Sequence, residues 1–124
     1  MTSIAMLARQ FMGWRRNEPF LQAGARKIVN NMPKAWADLK KMDTSAYMIY
    51  YSALCMFQIG GPNWRKWNEP TRDMIVMHQI KGGDNDGSWN PADDWGSKYA
   101  GRVYVTALLC LTLEVYYRYQ SVYE

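Results

Sequence analysis

The chain has 124 residues, of which 48% are hydrophobic and 21% are charged, and its formal net charge is +4. This length and composition fit one globular domain with a single core and exclude an extensively disordered chain. Lysine and arginine are dispersed along the chain, so no nucleic-acid partner is predicted. The nine methionines, six tryptophans and nine tyrosines have to be buried or to line a groove.

Five helical segments are predicted, and no segment alternates apolar and polar residues as a strand does. They span roughly residues 3–14, 19–32, 46–59, 63–80 and 102–119. Pro19 suits a first helical turn because it has no N–H to leave unpaired, and residues 43–45 are good caps. Gly60 permits the left-handed conformation that ends a helix, and Pro70 is expected to kink the fourth segment or delay its start. The predicted fold class is all-α.

The predicted helices are of two kinds. Residues 46–57 carry no charge and residues 103–117 carry only Glu114, so both segments are expected to be buried on all sides. The second and fourth segments are amphipathic, and the stripe on the fourth consists of Trp64, Trp67, Thr71, Met74 and His78. This alternation predicts an inner and an outer layer. Residues 3–7, 52–56 and 106–110 also resemble one another at a spacing of roughly 50 residues, which indicates helical-hairpin repeats.

Gln79 closes the fourth segment, and Gly87-Ser88-Trp89 stands ahead of the fifth. Together they resemble the Gln…Gly-x-Trp repeat motif of squalene and oxidosqualene cyclases, related to the repeats of prenyltransferase β-subunits, with a longer loop than the family uses. Residues 60–73 and 87–119 look like the C-terminal part of the squalene-cyclase-like repeat proteins of planctomycetes. The resemblance implies an α/α-toroid of helical hairpins, in which the motif ties the end of an outer helix to the start of the next inner one.

The same resemblance bears on the organisation of the domain. A closed toroid of this superfamily uses about six hairpins and this chain supplies about two and a half, so an incomplete ring is expected. Residues 1–124 are predicted to form a single domain that is the C-terminal part of a larger toroid. Its first and last helices would each leave an apolar face without a neighbour. The expected partner is a second copy or the missing part of a longer chain.

A non-catalytic structural or interaction module is the favoured function. The cyclases of this superfamily use an Asp-x-Asp-Asp acid motif, and the chain contains none. Protein prenyltransferases bind zinc through Asp, Cys and His, whereas His78 is the only histidine here, and Cys55 and Cys110 are expected to be buried free thiols. No catalytic residue is predicted. Two alternatives stay open: the C-terminal fragment of a squalene-cyclase-like enzyme that binds an isoprenoid, and a carbohydrate-binding or ligand-binding α/α barrel.

Aromatic side chains on the predicted inner helices raise the hypothesis of an apolar cavity. Aromatic faces in such a cavity hold an isoprenoid or stabilise a cation, although packing between the helix layers is the favoured role. The candidate cavity residues are Tyr47, Tyr50, Tyr51, Phe57, Tyr104 and Tyr117.

The connection between the fourth and fifth segments is rich in acids. Its oxygen donors match several positions of an EF-hand-like calcium loop, but Gly82 stands where the first aspartate belongs, so a solvated capping loop is favoured over calcium. Paired carboxylates here would also suit a sugar-cleaving site. The residues concerned are Asp84, Asp86, Asp93 and Asp94.

No targeting or transmembrane segment is predicted, and neither is a cellular compartment. Arg9 interrupts the first 14 residues, which also lack the apolar core and the cleavage pattern of a signal peptide. The longest uncharged run, residues 44–64, ends as a helix at Gly60 after about 16 residues, fewer than the ~20 that span a bilayer.

Overall fold

The computed structural model describes residues 1–121, and the regular structure of this part is helical, with no strand. The all-α prediction is confirmed. The α-helices are α1 (Thr2–Phe11), α2 (Pro19–Asn30), α3 (Ala46–Ile59), α4 (Gly61–Met77), α5 (Ser97–Ala100), α6 (Arg102–Leu113) and α7 (Val115–Arg118). Three short 3-10 helices lie in the connections, at Trp36–Lys40, Met42–Thr44 and Pro91–Asp93.

Several helix ends differ from the predicted ones. α1 ends at Phe11, because Gly13 adopts a φ of 88° and turns the chain away. The fifth predicted segment is divided at Glu114 into α6 and α7. α4 continues through Pro70, so the alternative of a late start is wrong. Pro70 and Lys66 are both exposed, and water can therefore satisfy the Lys66 carbonyl that Pro70 leaves without an N–H.

The buried stripe of α4 is close to the predicted one. Trp64, Trp67 and Thr71 are buried, and Ile75 is fully buried as well. The placement of His78 in this stripe is wrong. Because α4 ends one residue earlier, His78 lies outside the packed face and is exposed, with its ring stacked on that of Trp36 at a centroid distance of 4.5 Å.

α1 and α3 pack side by side and run in the same direction. Near their C-terminal ends, Gln10 Nε2 donates to the carbonyl of Cys55 at 3.1 Å. Near their N-terminal ends, Ser3 and Ile49 line the same cavity. Equivalent ends of the two helices therefore meet.

α6 packs against α3 in the same parallel manner. Phe57, near the end of α3, lies edge-on to Tyr116, just beyond the end of α6, with ring centroids 6.0 Å apart. At the opposite end, Tyr47 and Tyr104 are close enough to interact electrostatically. α1, α3 and α6 thus form a row of three parallel helices with α3 in the middle.

α2 and α4 form a second layer behind this row. They contact each other; α2 packs on α1 and α3, and α4 packs on α3. Tight turns make each of them antiparallel to the inner helix that precedes it in the chain. α2 approaches α1 closely at Gly24, where an added Cβ would overlap the fully buried side chain of Met6.

The two long connections, residues 31–45 and 78–101, lie together at the end of the layers where the inner helices begin. The Trp95 N–H donates to the carbonyl of Leu39 at 2.9 Å, which joins one connection to the other. At the opposite end, only residues 12–18 and Gly60 reverse the chain.

Both outermost helices of the row leave an apolar face uncovered. Val103 on α6 is 84% exposed, and on α1 Phe11 is 65% and Met12 69% exposed. The prediction that the last segment is buried on all sides is therefore wrong, because among the described residues no helix lies beyond α6. We call Val103, Ala107, Cys110 and Glu114 the α6 flank, and Ile4, Ala8, Phe11 and Met12 the α1 flank.

Across residues 1–121, the helices are too short or too polar to cross a lipid bilayer. This finding agrees with the sequence prediction that the chain contains no transmembrane segment.

Gly24→Ala is expected to lower the free energy of unfolding by about 1–3 kcal/mol, because the added methyl group overpacks the contact with Met6. In an uncrowded helix the same change would raise stability by about 0.5–1 kcal/mol. Urea denaturation measures the difference. When Met6→Ala is already present, Gly24→Ala should cost little; a stabilising effect in the wild-type background would contradict the close approach.

Candidate functional site

Trp89 joins the end of α4 to the start of α6. It is fully buried, and its indole Nε1 donates to the carbonyl of Ile75 at 2.8 Å. The carbonyl of Trp89 accepts from the Arg102 guanidinium, at the first residue of α6, at 3.0 Å. A buried indole whose N–H has a hydrogen-bond acceptor both fills space in the core and fixes the position of its backbone segment. An outer helix and an inner helix are tied together here.

Gln79 lies just beyond the end of α4 and bridges the acidic loop. Its side-chain Nε2 donates to the carbonyl of Gly87 at 2.8 Å. Beside this bond, the Ile80 N–H donates to the carbonyl of Ser88 at 2.9 Å, and the Gly87 N–H donates to the carbonyl of Ile80 at 2.8 Å. The structure therefore brings Gln79, Gly87 and Trp89 together at one junction.

Asp94 has a role that the sequence analysis does not predict. It is 2% exposed, and its Oδ1 accepts from the N–H of Ala46, the first residue of α3, at 2.7 Å. Its Oδ2 accepts from both the N–H and the hydroxyl of Ser97, the first residue of α5. One carboxylate thus caps two helices, whose N-terminal ends favour a negative charge. The Asp-x-x-Ser spacing signals the local cap, but nothing in the sequence indicates Ala46.

The other loop acids do not converge with Asp94. Asp93 Oδ2 accepts from the Trp36 indole at 3.0 Å, and Asp86 Oδ1 accepts from a backbone N–H of its own loop at 2.6 Å. Asp84 is exposed. Among residues 1–121, no three His, Cys, Asp or Glu side chains are grouped so that they could hold a metal ion. Asp86, Asp93 and Asp94 thus accept hydrogen bonds from separate partners, while calcium binding and sugar cleavage stay untested hypotheses.

Four of the candidate aromatic residues, Tyr47, Tyr50, Tyr51 and Tyr104, form what we call the tyrosine cluster. The ring centroid of Tyr51 lies 4.9 Å from that of Tyr47 and 5.4 Å from that of Tyr50. The Tyr119 hydroxyl, 3.5 Å from that of Tyr50, and partial burial raise the pKa of Tyr50 to about 12. Hydrogen bonding to Tyr47 and burial also raise the pKa of Tyr51. The raised pKa values keep Tyr50 and Tyr51 uncharged at neutral pH.

The other two candidate aromatic residues lie elsewhere. Phe57 packs edge-on against Trp64 of α4, with ring centroids 5.7 Å apart, and so belongs to the packing between the layers. Tyr117 is 90% exposed. The six residues therefore do not surround a common space.

Two cavities lie between the helices, and Trp67 contributes to the walls of both. The larger, about 610 Å³, is lined by the N-terminal ends of α1 and α3 and by the C-terminal end of α2. The smaller, about 320 Å³, lies between α4 and the end of α6, with Trp67, Thr71 and Thr112 in its wall. Of the six candidate aromatic residues, Tyr117 alone lines either of these two cavities.

The two cysteines are free thiols, as expected from the sequence; Cys55 is buried, whereas the prediction that Cys110 is buried is wrong, because no described helix covers its side of α6. Burial raises the pKa of Cys55 to about 12. Partial burial, followed by the nearby Glu114 carboxylate, raises the pKa of Cys110. Both side chains are therefore protonated at neutral pH, when the thiolate required for nucleophilic attack is scarce.

No protein-family model, curated protein or solved structure matches the chain. The likeness to cyclase repeats rests on the quoted residues alone.

Asp94→Ala is expected to lower the free energy of unfolding by about 2–4 kcal/mol, because the N–H groups of Ala46 and Ser97 both lose a buried charged acceptor. Asp84→Ala, in the same connection but exposed, should change it by less than about 0.5 kcal/mol. Urea denaturation followed by circular dichroism measures both values. Equal effects of the two substitutions would contradict the double cap.

Proposed function

We propose that the chain is a non-catalytic structural module of a toroid-like α/α array, and that it acts by packing further helices against its two flanks. The observation that carries the proposal is that a row of parallel helices ends in an apolar face on both sides. The α1 flank contains no charged residue, and the α6 flank contains only Glu114. Helical repeat proteins cover such terminal faces with polar capping repeats.

A helix packed against either flank would gain free energy by burying its exposed apolar side chains. Val103 is 84% exposed, and burying a side chain of this kind stabilises a structure by about 1.5–3 kcal/mol. Phe11 and Met12, at 65% and 69% exposure, offer comparable gains on the α1 flank. A helix placed against either flank would remove this apolar surface from water.

Connectivity supports the toroid-like part of the proposal. α1 with α2 and α3 with α4 form antiparallel hairpins, and α6 starts a third unit beside α3. This order of inner and outer helices is the one that the resemblance to cyclase repeats implies. The junction of Gln79, Gly87 and Trp89 ties outer α4 to inner α6, where the motif of that family acts.

A second candidate is a fragment of a cyclase-like enzyme that binds an isoprenoid; it would use the exposed and half-buried rings of the tyrosine cluster, which line neither of the two cavities. Titration of tryptophan fluorescence with squalene in detergent micelles separates the two functions. A structural module should show no saturable change. Saturable binding that Tyr51→Ala abolishes and Tyr99→Ala preserves would favour the second candidate, since Tyr99 is 85% exposed and lies outside the cluster.

A photo-crosslinking amino acid at Val103 or Ala8 is expected to give covalent adducts in cells that make the protein, because another helix covers each flank there. The same probe at Glu69, on the exposed and charged face of α4, should give none. Gel mobility and mass spectrometry of the products provide the measurement. An absence of adducts from both flank positions would contradict the proposed function.

A further inference from the structure

The packing of α1 and α6 against α3 shows how one inner helix is placed beside another. α1 packs on one side of α3 and α6 packs on the other, all in the same direction. The α1 flank and the α6 flank face away from α3 at opposite ends of the row. A second copy can therefore continue the row by placing its α1 beside α6.

We propose that a second copy of this chain covers the α6 flank, and that α1 of one copy packs in parallel on α6 of the next, head to tail. This inference rests on the proposed function and names the partner. The two flanks are different surfaces, so the contact is heterologous and each copy uses both of them. Such contacts either close into a ring or continue as a filament.

Each flank has an exposed alanine between its larger residues. Ala8 lies in the middle of the α1 flank and Ala107 in the middle of the α6 flank, and both are exposed. Small side chains at the contact allow two helix axes to approach toward the short end of the 8–10 Å range. Phe11 and Met12 at one end, and Val103 at the other, supply the larger apolar surface.

The charges at the C-terminal ends of the flanks are complementary. Glu114 is both the C-cap of α6 and the N-cap of the short α7, is exposed, and has no ion pair among residues 1–121. Arg15 follows α1, is exposed, and also has no ion pair in the described part of the chain. Since equivalent helix ends meet in the row, a head-to-tail contact brings Arg15 of one copy level with Glu114 of the next.

Sedimentation equilibrium of the full chain tests association directly. The wild type is expected to form complexes of two or more copies. Ala8→Arg and Ala107→Arg should each weaken association by at least about a hundredfold, because each puts a charge into an apolar contact. Both positions are exposed in one copy, so the free energy of unfolding measured at high dilution should change by less than about 0.5 kcal/mol. Glu69→Arg on α4 is the control that should leave association unchanged.

Mixing the two blocked variants tests the head-to-tail arrangement. Ala8→Arg leaves the α6 flank intact, and Ala107→Arg leaves the α1 flank intact. An equal mixture should therefore form complexes of one copy of each, although neither variant associates alone. Two results would overturn the arrangement: a mixture that stays monomeric, and a weakening of association by only one of the two substitutions. Either result indicates a contact between identical flanks or no contact at all.

Charge exchange tests the pairing of Arg15 with Glu114. Arg15→Glu and Glu114→Arg should each weaken association by about fivefold to tenfold, and the double variant should return to within about threefold of the wild type. A double variant as weak as the sum of its parts would overturn this pairing. A wild type that is monomeric at every concentration would overturn the whole inference. Flank crosslinks to a different protein would then still support the proposed function.

Discussion

The burial of α3 on both sides and from behind is the constraint on which the other helices depend. Residues 46–59 carry no charged side chain, so α3 gains stability only if neighbours remove it from water. α1 and α6 flank it and α2 and α4 lie behind it, leaving Ala53 and Met56 almost fully buried. A helix packed in this way needs hydrogen-bond partners within the protein for its N-terminal N–H groups. Asp94 accepts from one of these groups, the N–H of Ala46.

The connection from α4 to α6 therefore also fixes the positions of the helices that it contacts. Trp89 fixes it to α4 and α6, and Asp94 fixes it to α3 and α5. These two buried side chains position the inner row relative to the outer layer. The predicted motif residues Gln79 and Gly87 close the loop between them. The buried contacts of the acidic connection are thus made at helix ends.

Local patterns predicted the helices well, since caps, glycines and apolar spacing act within a few residues. They did not distinguish α3 from α6: both segments are nearly free of charge, yet α3 has neighbours on both sides, with Tyr47 left 41% exposed, whereas α6 has Val103 84% exposed. Composition indicates which surfaces are stabilised by burial. Whether a neighbouring helix covers such a surface depends on the arrangement of all the helices. The same reasoning applies to Asp94, whose partner Ala46 lies 48 positions earlier in the chain. The sequence also predicts that Phe57 and Tyr117 share a cavity with the four tyrosines, because it does not define the rotation of each helix.

The uneven placement of the connections has an evolutionary consequence. Residues 31–45 and 78–101 lie together at one rim, where the Trp95 N–H donates to the carbonyl of Leu39, and insertions in the exposed stretch 81–87 can enlarge the surface without shifting the helices. At the opposite rim, Gly60 alone separates α3 from α4, and any added residue would change the angle between them. Related chains are expected to diverge in length and chemistry at the first rim, whereas the second stays short and uniform.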